Sequence, residues 1–120
     1  MEIESASGSY IYDVNGKAYL DFVAGVSANT LGHSNPIITN AIKEQLEKYT
    51  HVMVYGEYVQ SPQYKLAKLL ADNLPEILST TYFTNSGAEA IEGAMKLAKR
   101  ATGRSEIISC KDSYHGSTQG

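Results

Sequence analysis

The chain has 120 residues, 42% of them hydrophobic and 19% charged, with a formal net charge of -3. That is the balance of an ordinary globular protein, and it gives no basis for nucleic acid or an anionic membrane as partner. The length fits one domain, which would bury roughly two thirds of its unfolded surface if it packed as a compact unit.

In chain order, Met1-Glu2-Ile3-Glu4-Ser5 carries neither the basic nor the apolar region of a signal peptide, and no later stretch has the length and apolarity of a transmembrane segment, so a cytoplasmic location is expected. Tyr10-Ile11-Tyr12-Asp13 and Ala18-Tyr19-Leu20-Asp21-Phe22 are short aromatic and β-branched runs around Val14-Asn15-Gly16-Lys17, whose Asn-Gly pair predicts an antiparallel hairpin. A small-residue loop follows from Ala24 to Gly32. Ser34-Asn35-Pro36 then supplies an N-cap with proline at the first helical position. Ile38, Ala41, Ile42, Leu46 and Tyr49 recur at helical spacing, so a helix is predicted to about Tyr49.

Residues 51–60 have no clean period and read as a loop between subdomains. Ser61-Pro62 repeats the cap-and-proline signal, Leu66, Leu69, Leu70 and Leu74 form an apolar stripe, and Pro75 ends the helix. A strand-helix-strand unit is predicted next: Thr80 to Thr84, Gly87 to about Thr102 with Gly103 as the stop, and Glu106 to Cys110. If the two strands share a sheet, the crossover is right-handed and the pairing parallel, with the Ser86-Gly87 turn at the carboxyl edge where α/β proteins bind ligands. Cys110, the single cysteine, excludes an internal disulfide and a cysteine-paired zinc site; after Ile107-Ile108-Ser109 it reads as a buried structural thiol.

Two turns carry the chemistry. At Ser86-Gly87-Ala88-Glu89 a helix begins on small residues, and two readings stand. In one, Ser86 bonds the amide of Glu89 while the Glu89 carboxylate returns to the amide of Ser86, a capping box and nothing more. Glu89 and Glu92 also put negative charge in the first two turns, which suits an empty helix dipole. In the other, bare N–H groups at Gly87 and Ala88 seat a phosphate. The second turn is Asp112-Ser113-Tyr114-His115-Gly116-Ser117-Thr118. Tyr114 on the same edge would lie flat against a planar cofactor; otherwise it belongs to a hydrogen-bonded surface turn. There is no Walker loop, no dinucleotide glycine signature and no nucleophile elbow, and His33, His51 and His115 have no metal-ligand spacing.

Taken together and in order, Tyr12-Asp13-Val14-Asn15-Gly16-Lys17-Ala18-Tyr19-Leu20-Asp21-Phe22, Gly25 with Leu31-Gly32-His33-Ser34-Asn35-Pro36, Phe83-Thr84-Asn85-Ser86-Gly87-Ala88-Glu89-Ala90 and Tyr114-His115-Gly116 resemble the amino-terminal part of a class III aminotransferase, nearest the acetylornithine and ornithine branch. The resemblance runs from Gly8 onward. It implies the α/β fold type I of pyridoxal-phosphate enzymes, with residues 1–60 in the small domain and dimer interface and 61–120 opening the large cofactor domain.

The resemblance also implies roles. Ser86, Gly87 and Ala88 would hold the phosphate of pyridoxal phosphate, the last two through backbone N–H groups. Tyr114 would stack on the pyridine ring, with His115 supporting its turn. Val26 would lie beside the substrate, and Tyr58 would approach the active site near the interface of a homodimer. Substrates would be an amino donor and a 2-oxo acid acceptor, and an aminomutase on the same scaffold or a phosphate-binding module without this chemistry are the alternatives. Where the acetylornithine branch has an arginine able to grip a carboxylate, this chain has Ser117, which turns the expected donor toward an amine, ω-amino acid or diamine.

In this family a lysine forms a Schiff base with the cofactor and an aspartate pairs with its ring nitrogen. No lysine here matches that position, so both are expected beyond Gly120 and no residue of this chain is assigned a catalytic role. The chain stops directly after the Tyr114 turn without a closing helix and is read as the front piece of something longer, not competent to transaminate alone.

Overall fold

A computed structural model describes residues 1–53 and 55–120. The backbone divides into two compact units, Met1–Tyr58 and Val59–Gly120.

The first unit is built on a three-stranded antiparallel sheet of β1 (Ile3–Ser7), β2 (Tyr10–Asp13) and β3 (Ala18–Leu20), in the order β1-β2-β3. The predicted hairpin is β2-β3, with Tyr10 opposite Leu20 and Tyr12 opposite Ala18. Its turn is longer than a two-residue Asn-Gly loop: the Gly16 N–H donates to the Asp13 carbonyl at 2.9 Å, Gly16 alone takes a positive φ of 78°, and Asp13 pairs with Lys17. Asp13 explains the preference. Its carboxylate accepts the Asn15 and Lys17 amides, both at 2.9 Å, and the Tyr19 hydroxyl at 3.0 Å, so one side chain ties off the turn. The amide bonds of Lys17 first of all, together with those hydrogen bonds from Tyr19 and Asn15, hold the Asp13 carboxyl below its ordinary value.

β1 was not predicted, because Ile-Glu-Ser-Ala-Ser has too little apolar alternation to read as a strand. It forms through pairing with β2, with a register shift between Ile3 and Ser5. The loop from Ala24 to Gly32 is also more structured than expected. α1 (Ala24–Ser27) is a single turn in which Ala24, Gly25, Val26 and Ser27 all have φ between 47° and 65°. Such left-handed residues cost roughly 1–2 kcal/mol each for side chains other than glycine, so the turn must be held from outside. Asp21 Oδ1 accepts the Val23 and Ala24 amides at 2.9 Å, His33 Nε2 meets Asp21 Oδ2 at 2.7 Å, and Asn29 Nδ2 meets His33 Nδ1 at 2.8 Å. His33 is itself fixed to the sheet side by a two-way backbone pair with Gly8, at 3.0 and 2.8 Å.

α2 (Pro36–Lys48) starts as predicted: Asn35 is the N-cap, its side chain accepting the Ile37 amide at 3.0 Å, with Pro36 behind it. Residues 51–60 carry no helix or strand among those described; Val54 lies outside them.

In the second unit α3 spans Ser61–Asn73. Ser61 is inside the helix rather than capping it, and Gln60, the N-cap, makes no side-chain cap bond. Leu74 is extended, as a residue before proline prefers, and Pro75 ends the helix. α4 (Gly87–Thr102) is closed by Gly103 in the left-handed conformation, whose N–H donates to the Lys99 carbonyl at 2.9 Å.

The two flanking strands do not form. Residues 80–84 and 106–110 carry no ladder, and the described residues of this unit contain no sheet. A strand exists only through a hydrogen-bonded neighbour, and these two segments are not paired with each other. The same openness overturns the expected burial. Among the described residues no apolar side chain is fully buried, the leucine stripe of α3 is exposed, and Cys110 is an exposed free thiol. No described helix is long and apolar enough to cross a membrane.

Candidate cofactor site

The start of α4 carries both a cap and free donors. Ser86, extended at φ -153° and ψ 160°, accepts the Glu89 amide on its hydroxyl at 3.1 Å. The Glu89 carboxylate folds back, but onto the amide of Asn85 at 2.7 Å rather than onto that of Ser86. The extended Ser86 brings the amide before the cap into reach, so the box closes one residue early. The Ser86 hydroxyl is thereby occupied with the Glu89 amide and the Glu89 carboxylate with the Asn85 amide. Among the described residues the Gly87 and Ala88 N–H groups have no hydrogen-bond partner, as expected of the first turn of a helix. At Gly87 a Cβ would meet nothing within 4 Å. Two free amides at the positive end of a sixteen-residue helix suit a phosphate.

The second turn is seated on the first. Gly116 lies so close to α4 that a Cβ there would come within 2.5 Å of Ala88 Cβ and 2.8 Å of Ala88 Cα, and its φ of +104° also demands glycine. Farther along, Glu92 Oε1 accepts the Thr118 hydroxyl at 2.5 Å and the Gln119 amide at 2.9 Å. The Thr118 hydrogen bond first, then the Gln119 amide, hold the Glu92 carboxyl below its ordinary value. Glu92, in the sequence only a charge opposed to phosphate, is in the structure the acceptor for two donors from the second turn. An acid in the second turn of a helix expected to seat an anion was the available signal that a donor must come from elsewhere in the chain.

Tyr114 stands on this turn with 81% of its surface exposed, its hydroxyl 3.4 Å from that of Ser117. A free aromatic face two residues before the Gly116 contact fits a planar ring whose phosphate is held at Gly87 and Ala88. His115 is half-buried and lines a groove with Ile91 and Met95 of α4, so it backs the turn on its apolar side. Ser86, Gly87, Ala88, Tyr114 and His115, on two turns that the Gly116 contact with Ala88 links, all lie in the second unit. Val26 and Tyr58 lie in the first, both exposed, Val26 on the left-handed turn at φ 57°. Among the described residues no group of three or more His, Cys, Asp or Glu is placed to hold a metal ion.

The helix start and the turn packed on it form one candidate site within the second unit. The family model of the class-III aminotransferases matches residues 1–120, and the chain belongs to that family. It is 45% identical over 118 residues to an acetylornithine aminotransferase of Archaeoglobus fulgidus, covering 98% of this chain and 30% of that protein. Among solved structures it resembles the adenosylmethionine-8-amino-7-oxononanoate aminotransferase of Methanocaldococcus jannaschii, with a TM-score of 0.89 and 38% identity over 100% of this chain and 28% of that one. The taurine:2-oxoglutarate aminotransferase of Bifidobacterium kashiwanohense, in complex with PLP and glutamate, gives a TM-score of 0.82 and 39% identity over 98% of this chain and 26% of that one. The fold class expected from the sequence, the α/β fold type I, is that of these transaminases. The chain spans about 30% of the length of the Archaeoglobus relative.

Proposed function

We propose that this chain is the amino-terminal part of a pyridoxal-phosphate-dependent transaminase, with residues 1–60 in the small domain and dimer interface and 61–120 opening the cofactor domain. The observation that carries the reading is the Gly116 contact on Ala88, which joins the free amides of Gly87 and Ala88 to the turn of Tyr114. In this reading Ser86 shapes the seat, Gly87 and Ala88 donate to the cofactor phosphate, Tyr114 covers the ring and His115 backs the turn. The cofactor, when bound, supplies the electron sink that labilises a bond at the amine carbon. The overall exchange balances without any outside oxidant: the donor gives up its amino group and leaves as an aldehyde or ketone, while the 2-oxo acid takes the amino group and becomes an amino acid.

Ser117 bears on the donor. It is uncharged and lies beside the Tyr114 hydroxyl, so it offers no bidentate grip on a carboxylate. An amine, ω-amino acid or diamine is therefore the expected donor, in preference to acetylornithine. Val26 and Tyr58 are assigned to the substrate side of a cytoplasmic homodimer. The lysine that links covalently to the cofactor is assigned to the part of the protein outside residues 1–120.

The test is made on the full-length protein. Added pyridoxal phosphate should give a visible absorbance band that borohydride converts to a fixed adduct, and peptide mapping should place that adduct on a lysine outside 1–120. Absence of the band and of the adduct would sink the transaminase reading and leave a phosphate-binding module. Turnover of an amine without any 2-oxo acid would indicate an aminomutase instead.

A further inference from the structure

Ala88 and Glu92 are one helical turn apart and lie on the same face of α4. Ala88 receives Gly116, and Glu92 receives Thr118 and Gln119. The segment 116–119 is therefore held at both ends along one stripe of the helix. Among the described residues the Tyr114 ring has no comparable anchor of its own: it is largely exposed, and the one hydrogen-bond partner of its hydroxyl among them is Ser117, on the same turn. Where the ring stands relative to the Gly87 and Ala88 amides is set by these two attachments.

One of the attachments is steric and the other is charged. The Gly116 contact sets how near the turn comes but does not stop it sliding or lifting away. The Glu92 bonds do, because one carboxylate oxygen takes a side-chain donor and a backbone donor from consecutive residues. The location is also electrostatically unexpected. A carboxylate in the second turn sets its charge against a phosphate at the helix start, and neutral donors leave that charge in place; what Glu92 contributes is the hold of its Oε1 on Thr118 and Gln119.

We infer that Glu92 is a positioning residue for pyridoxal phosphate, holding the Tyr114 turn at a fixed distance from the phosphate seat through Thr118 and Gln119 without touching the cofactor. This rests on the transaminase reading above. Glu92 acts on cofactor affinity, and the carbonyl of a glutamine suffices for it, since both partners are donors.

The experiment titrates full-length apoprotein with pyridoxal phosphate and follows the thermal stability of the apoprotein in parallel. Glu92→Ala should weaken cofactor binding by about ten- to a hundredfold, the scale of losing charge-assisted hydrogen bonds. Glu92→Gln should recover most of that loss. Thr118→Val should weaken binding in the parent yet add little on top of Glu92→Ala, because the two act through one bond. Wild-type affinity in Glu92→Ala would overturn the inference. So would equal losses in Glu92→Ala and Glu92→Gln that merely track the apoprotein's stability. If Glu92→Ala does not fold, Glu92→Gln and Thr118→Val still decide, since the inference requires the first to bind well and the second to bind poorly. A wild-type protein that binds no pyridoxal phosphate would remove the transaminase reading itself, whereas wild-type binding with an indifferent Glu92 removes only this inference.

Discussion

The two units solve the same problem by different means. In Met1–Tyr58 the irregular backbone is tied by polar side chains that answer one another: Asp13 closes the hairpin, and the series Asn29, His33, Asp21 fixes a turn of four left-handed residues. In Val59–Gly120 the regular elements are two helices, and the irregular backbone is ordered where it meets α4, by Gly116 and Glu92. At the start of α4 the Gly87 and Ala88 amides stand free among the described residues, and free donors are what a phosphate needs.

The sharpest way to break this contrast uses glycines of similar conformation. Gly16 and Gly116 both have φ in the left-handed half of the map, at 78° and 104°. A Cβ at Gly16 meets nothing within 4 Å, while at Gly116 it enters Ala88. Gly116→Ala should therefore cost overpacking of about 1–3 kcal/mol on top of backbone strain, and should lower pyridoxal-phosphate affinity by about tenfold or more. Gly16→Ala should cost only strain of roughly 1–2 kcal/mol and leave cofactor affinity unchanged. Thermal melts and cofactor titrations of both variants check the pair. Equal cofactor affinities would mean that the Gly116 contact has no part in the site.

The next effect tests the polar series of the first unit through pH. The His33 hydrogen bond first, then the Ala24 amide, hold the Asp21 carboxyl below its ordinary value. A carboxyl depressed in the folded state adds stability that is present above its unfolded pKa and lost as the pH falls through the carboxylate range toward the folded value. Protection of the Val23 and Ala24 amides against hydrogen exchange should therefore drop on acidification through that range. In Asp21→Asn protection should be low already at neutral pH and nearly flat with pH, because an amide offers His33 Nε2–H only a mismatched NH2 or costs the backbone its acceptor. A steep acid transition that survives in Asp21→Asn would assign it to other carboxyls, Asp13 first among them.

What the sequence disclosed follows the range of the interactions. Asn35-Pro36, Ser86 with Glu89, and Gly103 were legible because a cap is made within a few residues of itself. The hairpin was legible for the same reason, though the Asp13 side chain selected a longer turn than Asn-Gly alone implies. β1 was not legible, because Ile3–Ser7 becomes a strand only through β2. Nor was the left-handed turn: nothing in Ala-Gly-Val-Ser announces it, and a β-branched residue at φ 57° argues against it locally. Its cause sits at His33, 12 residues from Asp21. Glu92 is the extreme case, with partners 26 and 27 residues downstream. The apolar runs at 80–84 and 106–110 were visible, but a ladder belongs to two segments at once and cannot be read from either.

The smallest effect compares the two caps. Asn35 accepts the Ile37 amide at the start of α2, and Ser86 accepts the Glu89 amide at the start of α4, at 3.0 and 3.1 Å. Without ligand, Asn35→Ala and Ser86→Ala should each cost about 1 kcal/mol, since each leaves one helix-start donor unpaired. Pyridoxal phosphate should separate them. A ligand that binds only the folded form raises stability in proportion to the logarithm of its occupancy ratio. If Ser86 also shapes the phosphate seat, Ser86→Ala loses part of that increment and its deficit widens as cofactor is added, while the Asn35→Ala deficit stays constant. Melting both variants across a cofactor series measures the divergence. Parallel curves would make Ser86 a cap and nothing more, and would leave the phosphate to the amides of Gly87 and Ala88 alone.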